Sequence, residues 1–141
     1  MARGNFSHIA LTVSDLDRST EFYDKVFKFI GFKRVEIPES IQNAMKTRLK
    51  AWVGPGYSIS IRPSKGEFAH RPHDRSAPGF NHFAFSAEDR ADVNKMLDLL
   101  NEIGARVLDP PAEYPYSPGY FAIYFTDPDG LKFEFAHSPG R

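Results

Sequence analysis

The chain repeats itself, and that constrains its fold more than any other feature. Phe6-Ser7-His8-Ile9-Ala10-Leu11-Thr12-Val13 opens one half and Phe80-Asn81-His82-Phe83-Ala84-Phe85-Ser86-Ala87 opens the other, with the two histidines 74 residues apart. Self-similarity on this scale means that one supersecondary unit has been used twice. After each histidine the apolar residues alternate, Ile9, Leu11 and Val13 in the first copy and Phe83 and Phe85 in the second. Period-two alternation is the signature of a half-buried strand.

The elements that follow match in order. Phe22, Tyr23, Val26, Phe27 and Ile30 recur at helical spacing over Ser19 to Ile30, with Ser14, Asp15 and Asp17 as capping candidates and Gly31 as the stop. Val93, Met96, Leu97, Leu100 and Ile103 form the second stripe, stopped by Gly104. Short strands are expected next, at Phe32 to Ile37 and Ala105 to Leu108, closed by Pro38 and by Pro110-Pro111, since proline cannot donate to a ladder. Two more strands end each half: Thr47 to Val53 and Tyr57 to Arg62 around Gly54-Pro55-Gly56, then Phe121 to Thr126 and Leu131 to His137 around Asp127-Pro128-Asp129-Gly130. The expected architecture is α+β, with two tandem βαβββ modules at 6–62 and 80–137, and a Pro/Gly-rich linker at 63–79. Each module is too small to bury both faces of its sheet alone, so 1–141 is expected to form one domain with a concave mixed-sheet cavity.

Composition narrows the partners. There is no cysteine, so a metal would be bound by imidazole and carboxylate, not by thiolate. Basic and acidic residues balance at 18 each, which leaves no electrostatic footprint for nucleic acid or an anionic membrane. No apolar stretch has the length of a membrane span, and Met1 to Asn5 offer no apolar h-region, so no signal segment is expected. A soluble, cytoplasmic protein with a small-molecule partner is the expectation.

Periodicity also assigns faces. One face of each four-stranded sheet must lie under its helix, which places Phe133 and Phe135 there and Lys132, Glu134 and Ala136 on the opposite, open face. The same count puts His8, His82, Ala122, Tyr124, Ser58, Ser60 and Arg62 on open faces, with Arg48, Lys50 and Trp52 joining them if the neighbouring strand keeps the assumed register. His8, His82 and Glu134 thus form a two-His-one-carboxylate set suited to Fe, Zn, Mn or Ni. Hydrogen-bonded polar clusters are the plainer alternative for the same residues. Asp127 and Asp129 belong first to a turn. His70 and His73 are expected to be exposed loop residues, and Tyr114, Tyr116 and Tyr120 either a lid or the packing of their own loop.

These motifs resemble a known family. The His-apolar-Ala-apolar opening of both halves, the paired βαβββ order and the segment Tyr124-Phe125-Thr126-Asp127-Pro128-Asp129-Gly130-Leu131-Lys132-Phe133-Glu134-Phe135 are similar to the glyoxalase/bleomycin-resistance/dioxygenase (vicinal oxygen chelate) superfamily, over Phe6 to His137. The resemblance implies metal ligands on the first and last strands of each module, here His8, Ser60, His82 and Glu134, of which Ser60 departs from the Glu or Gln of glyoxalase I. It implies a divalent-metal-dependent enzyme acting on a small substrate that chelates through adjacent oxygens, by dioxygenase, lyase or fosfomycin-type transferase chemistry. The alternative is metal-free sequestration of the bleomycin-resistance type. Tyr124 falls where fosfomycin-resistance members have a pocket tyrosine, whereas the Lys and Ser-Gly loop of the glutathione-using subtype is replaced by Glu113 to Tyr120. Tyr124 and Arg62 become catalytic candidates, Arg62 through pairing with a carboxylate or phosphonate, and a homodimer is the expected assembly.

Overall fold

A computed structural model describes residues 2–140. It comprises two compact units, Met1–Arg71 and Pro72–Arg141, each carrying one copy of the repeat. In the first, strand β1 (His8–Val13) leads into helix α1 (Leu16–Phe29), then β2 (Lys33–Val35), helix α2 (Glu39–Met45), β3 (Lys50–Val53) and β4 (Ser58–Pro63). Their sheet runs β1-β4-β3-β2, parallel between β1 and β4 and antiparallel elsewhere.

Helix α1 starts where Asp15 can cap it: Oδ1 accepts the Arg18 backbone N–H at 3.0 Å, while Asp17 and Lys28 complement the dipole at its two ends. Its stripe of Phe22, Tyr23, Val26 and Phe27 is buried along with Leu11, Val13, Ile59 and Ile61 of the sheet. Trp52 joins this core, with Phe27 edge-on at 5.2 Å, and its indole N–H donates to Asp24 at 3.0 Å. This corrects the expected placement of Arg48, Lys50 and Trp52 on the open face. Val53 pairs with Ser58, so Gly54 to Tyr57 form a four-residue loop, not a three-residue one, and Lys50 and Trp52 stand opposite Ile61 and Ile59. A slip of one residue moves every side chain of a strand to the other face. Arg48 lies on the helix side as well, paired with Asp17 at 3.1 Å. Helix α2 has no counterpart in the expected element order. It buries no residue, so no apolar stripe announces it, and Gln42 ties it down by bonding Ile37 O and Leu49 N.

The segment expected to be a linker is partly structured. A 3₁₀ turn occupies Gly66–His70, and the division between the units falls inside the segment, after Arg71. His73 is not a free loop residue, since its Nε2 lies 2.7 Å from Phe80 O.

The second unit contains β5 (Phe83–Ser86), α3 (Arg90–Glu102), β6 (Val107–Glu113), β7 (Phe121–Thr126) and β8 (Lys132–His137), in the sheet order β5-β8-β7-β6. Asp89 caps α3 by accepting the Asp92 N–H at 2.7 Å, and Val93, Met96 and Leu100 are buried in a core with Phe85, Phe125, Phe133 and Phe135. Asp127 closes the β7–β8 hairpin, accepting the N–H groups of Asp129 and Leu131, and Gly130 supplies the positive φ of 85°. Pro110-Pro111 does not end its strand as expected: β6 continues to Glu113. It is an edge strand, and its register shifts between Val107 and Asp109 and between Asp109 and Ala112, where prolines without N–H groups are accommodated. Among the described residues no helix is long and apolar enough to cross a membrane.

Candidate functional site

The second unit brings two of the expected ligands together. Glu134 lies in β8 between Ala84 of β5 and Tyr124 of β7, on the face away from α3. That face is not bare, because Leu108, Tyr114 and Tyr120 pack over Ala122, Tyr124 and Ala136. Glu134 is consequently only 3% exposed. A carboxylate this buried needs partners, and it has them: Tyr120 O–H donates to Oε2, and Nε2 of His82 faces Oε1 at 3.1 Å.

The imidazole is oriented from its other side. Nδ1 of His82 lies 2.7 Å from Asn81 Oδ1, so a ring with its proton on Nδ1 donates to that side-chain carbonyl. In that tautomer Nε2 presents a lone pair toward the carboxylate, a contact that a proton or a metal ion between them makes favourable. Two ligands with bonds of about 2.0–2.2 Å to one divalent ion sit about 3 Å apart. The observed 3.1 Å fits, as does the carbonyl behind the ring, the usual support of a ligating histidine.

His8 repeats half of this arrangement in the first unit. It is exposed at the start of β1, with Ser7 Oγ 3.0 Å from its Nδ1. Ser7 and Asn81 occupy equivalent repeat positions, a polar residue before each histidine, and this is the sequence signal by which both supports were findable. Among the described residues no three His, Cys, Asp or Glu side chains form a group that could hold a metal ion. Of the expected trio, the pair His82–Glu134 is the part in direct contact.

The tyrosines are the feature that sequence reasoning left open. Tyr114 and Tyr116 stack at 5.5 Å, Tyr120 meets Tyr116 edge-on, and Tyr114 meets Tyr124 edge-on at 5.4 Å. The 114–120 loop therefore packs on the face that carries Glu134, and Tyr124 lies 5.9 Å from the His82 ring. Burial raises the Tyr124 hydroxyl well above the usual tyrosine range, reinforced by Tyr116 and Glu134, so it stays protonated. Tyr114 is raised too, by burial first and then by the charges of Asp109 and its neighbours. Lys132 Nζ sits 4.6 Å over the Tyr124 ring. In the first unit Ser60 and Arg62 share the face away from α1, with Arg62 Nη2 donating to Ser60 Oγ at 3.4 Å.

The family model of the glyoxalase/bleomycin resistance protein/dioxygenase superfamily matches residues 5–135. The chain belongs to this superfamily. It is 32% identical over 129 residues to the uncharacterized protein YqjT of Bacillus subtilis, covering 90% of this chain and 94% of that one. It is 33% identical to lactoylglutathione lyase GLX1 of Arabidopsis thaliana over 92% of this chain, but spans only 42% of that protein. Metallothiol transferase FosB of Lysinibacillus sphaericus is 31% identical, with 93% and 80% covered. Among solved structures, a glyoxylase/bleomycin resistance protein/dioxygenase domain from Frankia sp. EAN1pec superposes with a TM-score of 0.77 at 26% identity, over 97% of this chain and 99% of that one. The fosfomycin resistance protein FosX of Mesorhizobium loti shares the fold, with a TM-score of 0.67 at 23% identity over 99% and 96% of the two chains.

Proposed function

We propose that this superfamily member is a divalent-metal-dependent enzyme acting on a small molecule that chelates through two adjacent oxygens, with His8, His82 and Glu134 as metal ligands. The observation that carries the reading is a carboxylate 3% exposed, facing an oriented imidazole nitrogen at 3.1 Å. The ligand types suit Fe, Zn, Mn or Ni. The third ligand, His8, comes from the same chain or from a second copy in a homodimer. When bound, the ion supplies Lewis acidity toward a chelated oxygen.

The chain's own residues supply the rest. Asn81 orients the His82 ring through Nδ1, which leaves Nε2 free to hold an ion, and Tyr120 occupies Oε2 of Glu134, so Oε1 is the oxygen that would hold it. Tyr124, kept protonated by burial, donates a hydrogen bond to a substrate oxygen and leaves base chemistry to another group. The packed tyrosines exclude water from one side of the site, which strengthens its electrostatics. Relatives named as a lyase and a metallothiol transferase support enzymatic chemistry of this kind. Ser60, which offers no carboxylate for a proton shuttle, weighs against the lyase reaction as such.

Metal analysis of the purified protein tests the reading, followed by reloading after treatment with a chelator. Close to one ion per chain is expected, lost in His82→Ala and Glu134→Gln. A protein that holds no divalent metal, and whose binding of small molecules ignores His82, would overturn it in favour of metal-free sequestration. Oxygen uptake by the Fe(II) form with a catechol would assign a dioxygenase; tight Zn, Ni or Mn binding without uptake would assign a lyase or transferase.

A further inference from the structure

We propose that the first unit carries, on its own residues, a pocket for the oxyanion head of a small organic acid, a carboxylate or phosphate attached to a short apolar body. The pocket is a cavity of about 340 Å³, within the size range of small-molecule sites, and residues of Met1–Arg71 alone line it. Its floor is the pair Thr12 and Arg62, register partners on the face away from α1. Ser64 is fixed beside them by its backbone N–H, which donates to Val13 O at 2.7 Å, and Lys65 follows. No carboxylate lines the cavity, so two cations, Arg62 and Lys65, and three hydroxyls, Thr12, Thr47 and Ser64, converge there without an internal counter-ion.

Two of these groups are unsatisfied. Among the described residues, Nε of Arg62 and Oγ of Ser64 are buried with no hydrogen-bond partner. The one described bond of the guanidinium is the long 3.4 Å contact to Ser60. Buried polar groups in folded proteins are nearly always paired, so an orphaned guanidinium N–H beside an orphaned hydroxyl marks where an acceptor belongs. An oxyanion is the acceptor that a planar guanidinium fork fits best. The apolar part of the ligand has its wall too. Met45 and Phe68, exposed at 45% and 53%, line the same cavity, and the Arg71 guanidinium stacks 4.8 Å from the Phe68 ring. The pocket uses none of the proposed metal ligands and needs no metal.

The test uses the full chain stripped of metal by a chelator, titrated with phenyl phosphate, benzoate, inorganic phosphate and neutral benzyl alcohol, with the Arg62 Nε–Hε resonance followed by NMR. Phenyl phosphate or benzoate should shift that resonance saturably, and affinity should fall about tenfold or more in Arg62→Gln. Ser64→Ala should weaken all three anions, while Phe68→Ala should weaken the two organic anions and leave inorganic phosphate unchanged. Should Arg62→Gln fail to fold, Arg62→Lys retains the charge without the fork and is expected to lose most of the affinity. Equal binding of benzyl alcohol, unchanged affinity in the Arg62 and Ser64 variants, or no saturable binding of any anion would overturn the proposal. Because the assay is metal-free, each of those results leaves the metalloenzyme reading standing, and loss of metal binding leaves this one standing.

Discussion

Tyr120→Phe removes a single hydroxyl and is the sharpest perturbation of the site. In the folded chain that hydroxyl donates to Oε2 of Glu134, a carboxylate only 3% exposed, while Oε1 faces His82 at 3.1 Å. Water has little access to replace the lost donor, so the deletion removes a hydrogen bond to a charged group, worth about 1.5–3 kcal/mol. In metal-free protein, melting should fall by about 5–12 °C, at about 3–4 °C per kcal/mol for a chain of this size. Metal binding should suffer in parallel. Removing the group that orients a ligating carboxylate typically weakens affinity by about 10–100-fold. The assay is thermal melting of the stripped protein together with competition against a chelator for Zn or Mn. Unchanged melting would show that the hydroxyl does not hold Glu134. Equal or tighter metal binding would show that Tyr120 competes for the carboxylate instead of presenting it, and would refute its positioning role.

Other consequences can be measured directly. If His8 completes the site, His8→Ala should lower metal stoichiometry as far as His82→Ala does; retention of full stoichiometry in His8→Ala would remove it from the ligand set. Gly54→Ala should cost about 1–3 kcal/mol, because its Cβ would lie 2.5 Å from the Phe32 ring, which is hemmed in by Tyr57 at 5.3 Å and Phe27 at 5.7 Å; an unchanged melting temperature would contradict this packing. Burial raises the hydroxyls of Tyr114 and Tyr124 above the ordinary value of 10.0, so in the unfolded chain they ionise first. The stability they contribute is present below about pH 10 and lost as pH rises beyond it. Absorbance titration should show these two, with Tyr57, whose hydroxyl burial also raises, ionising after the bulk tyrosines and with unfolding in the same range, and a single ordinary tyrosine transition would refute the assignment.

Much of the fold was legible because a duplicated pattern checks itself. His8 and His82 at a spacing of 74, the paired glycine stops and the alternation around Glu134 each predict the other copy's element, so local ambiguity is resolved by comparison. The elements that escaped have no periodic signal. Helix α2 buries nothing, and the part of β6 beyond Leu108, a strand expected to stop at the prolines, passes through both of them by shifting register. The candidate site was legible to the same extent. The face of Glu134 and Tyr124 follows from counting along hairpins whose turn was read correctly, whereas Trp52 was misplaced because its loop holds one residue more than the glycines indicate.

The sequence alone determined the α+β class, the repeated βαβββ order, the helix stripes and the faces of the strands around the DPDG turn, because those depend on the chain's local period and on residue chemistry. Tertiary structure decided what no period encodes. It placed Tyr120, fourteen residues away in sequence, on the far oxygen of Glu134, set the His82 ring between Asn81 and that carboxylate, and left Arg62 Nε buried with Ser64 in a pocket that no motif announces. Contacts between side chains distant along the chain depend on register and loop length together, and a single residue in either moves a group from the core to the site.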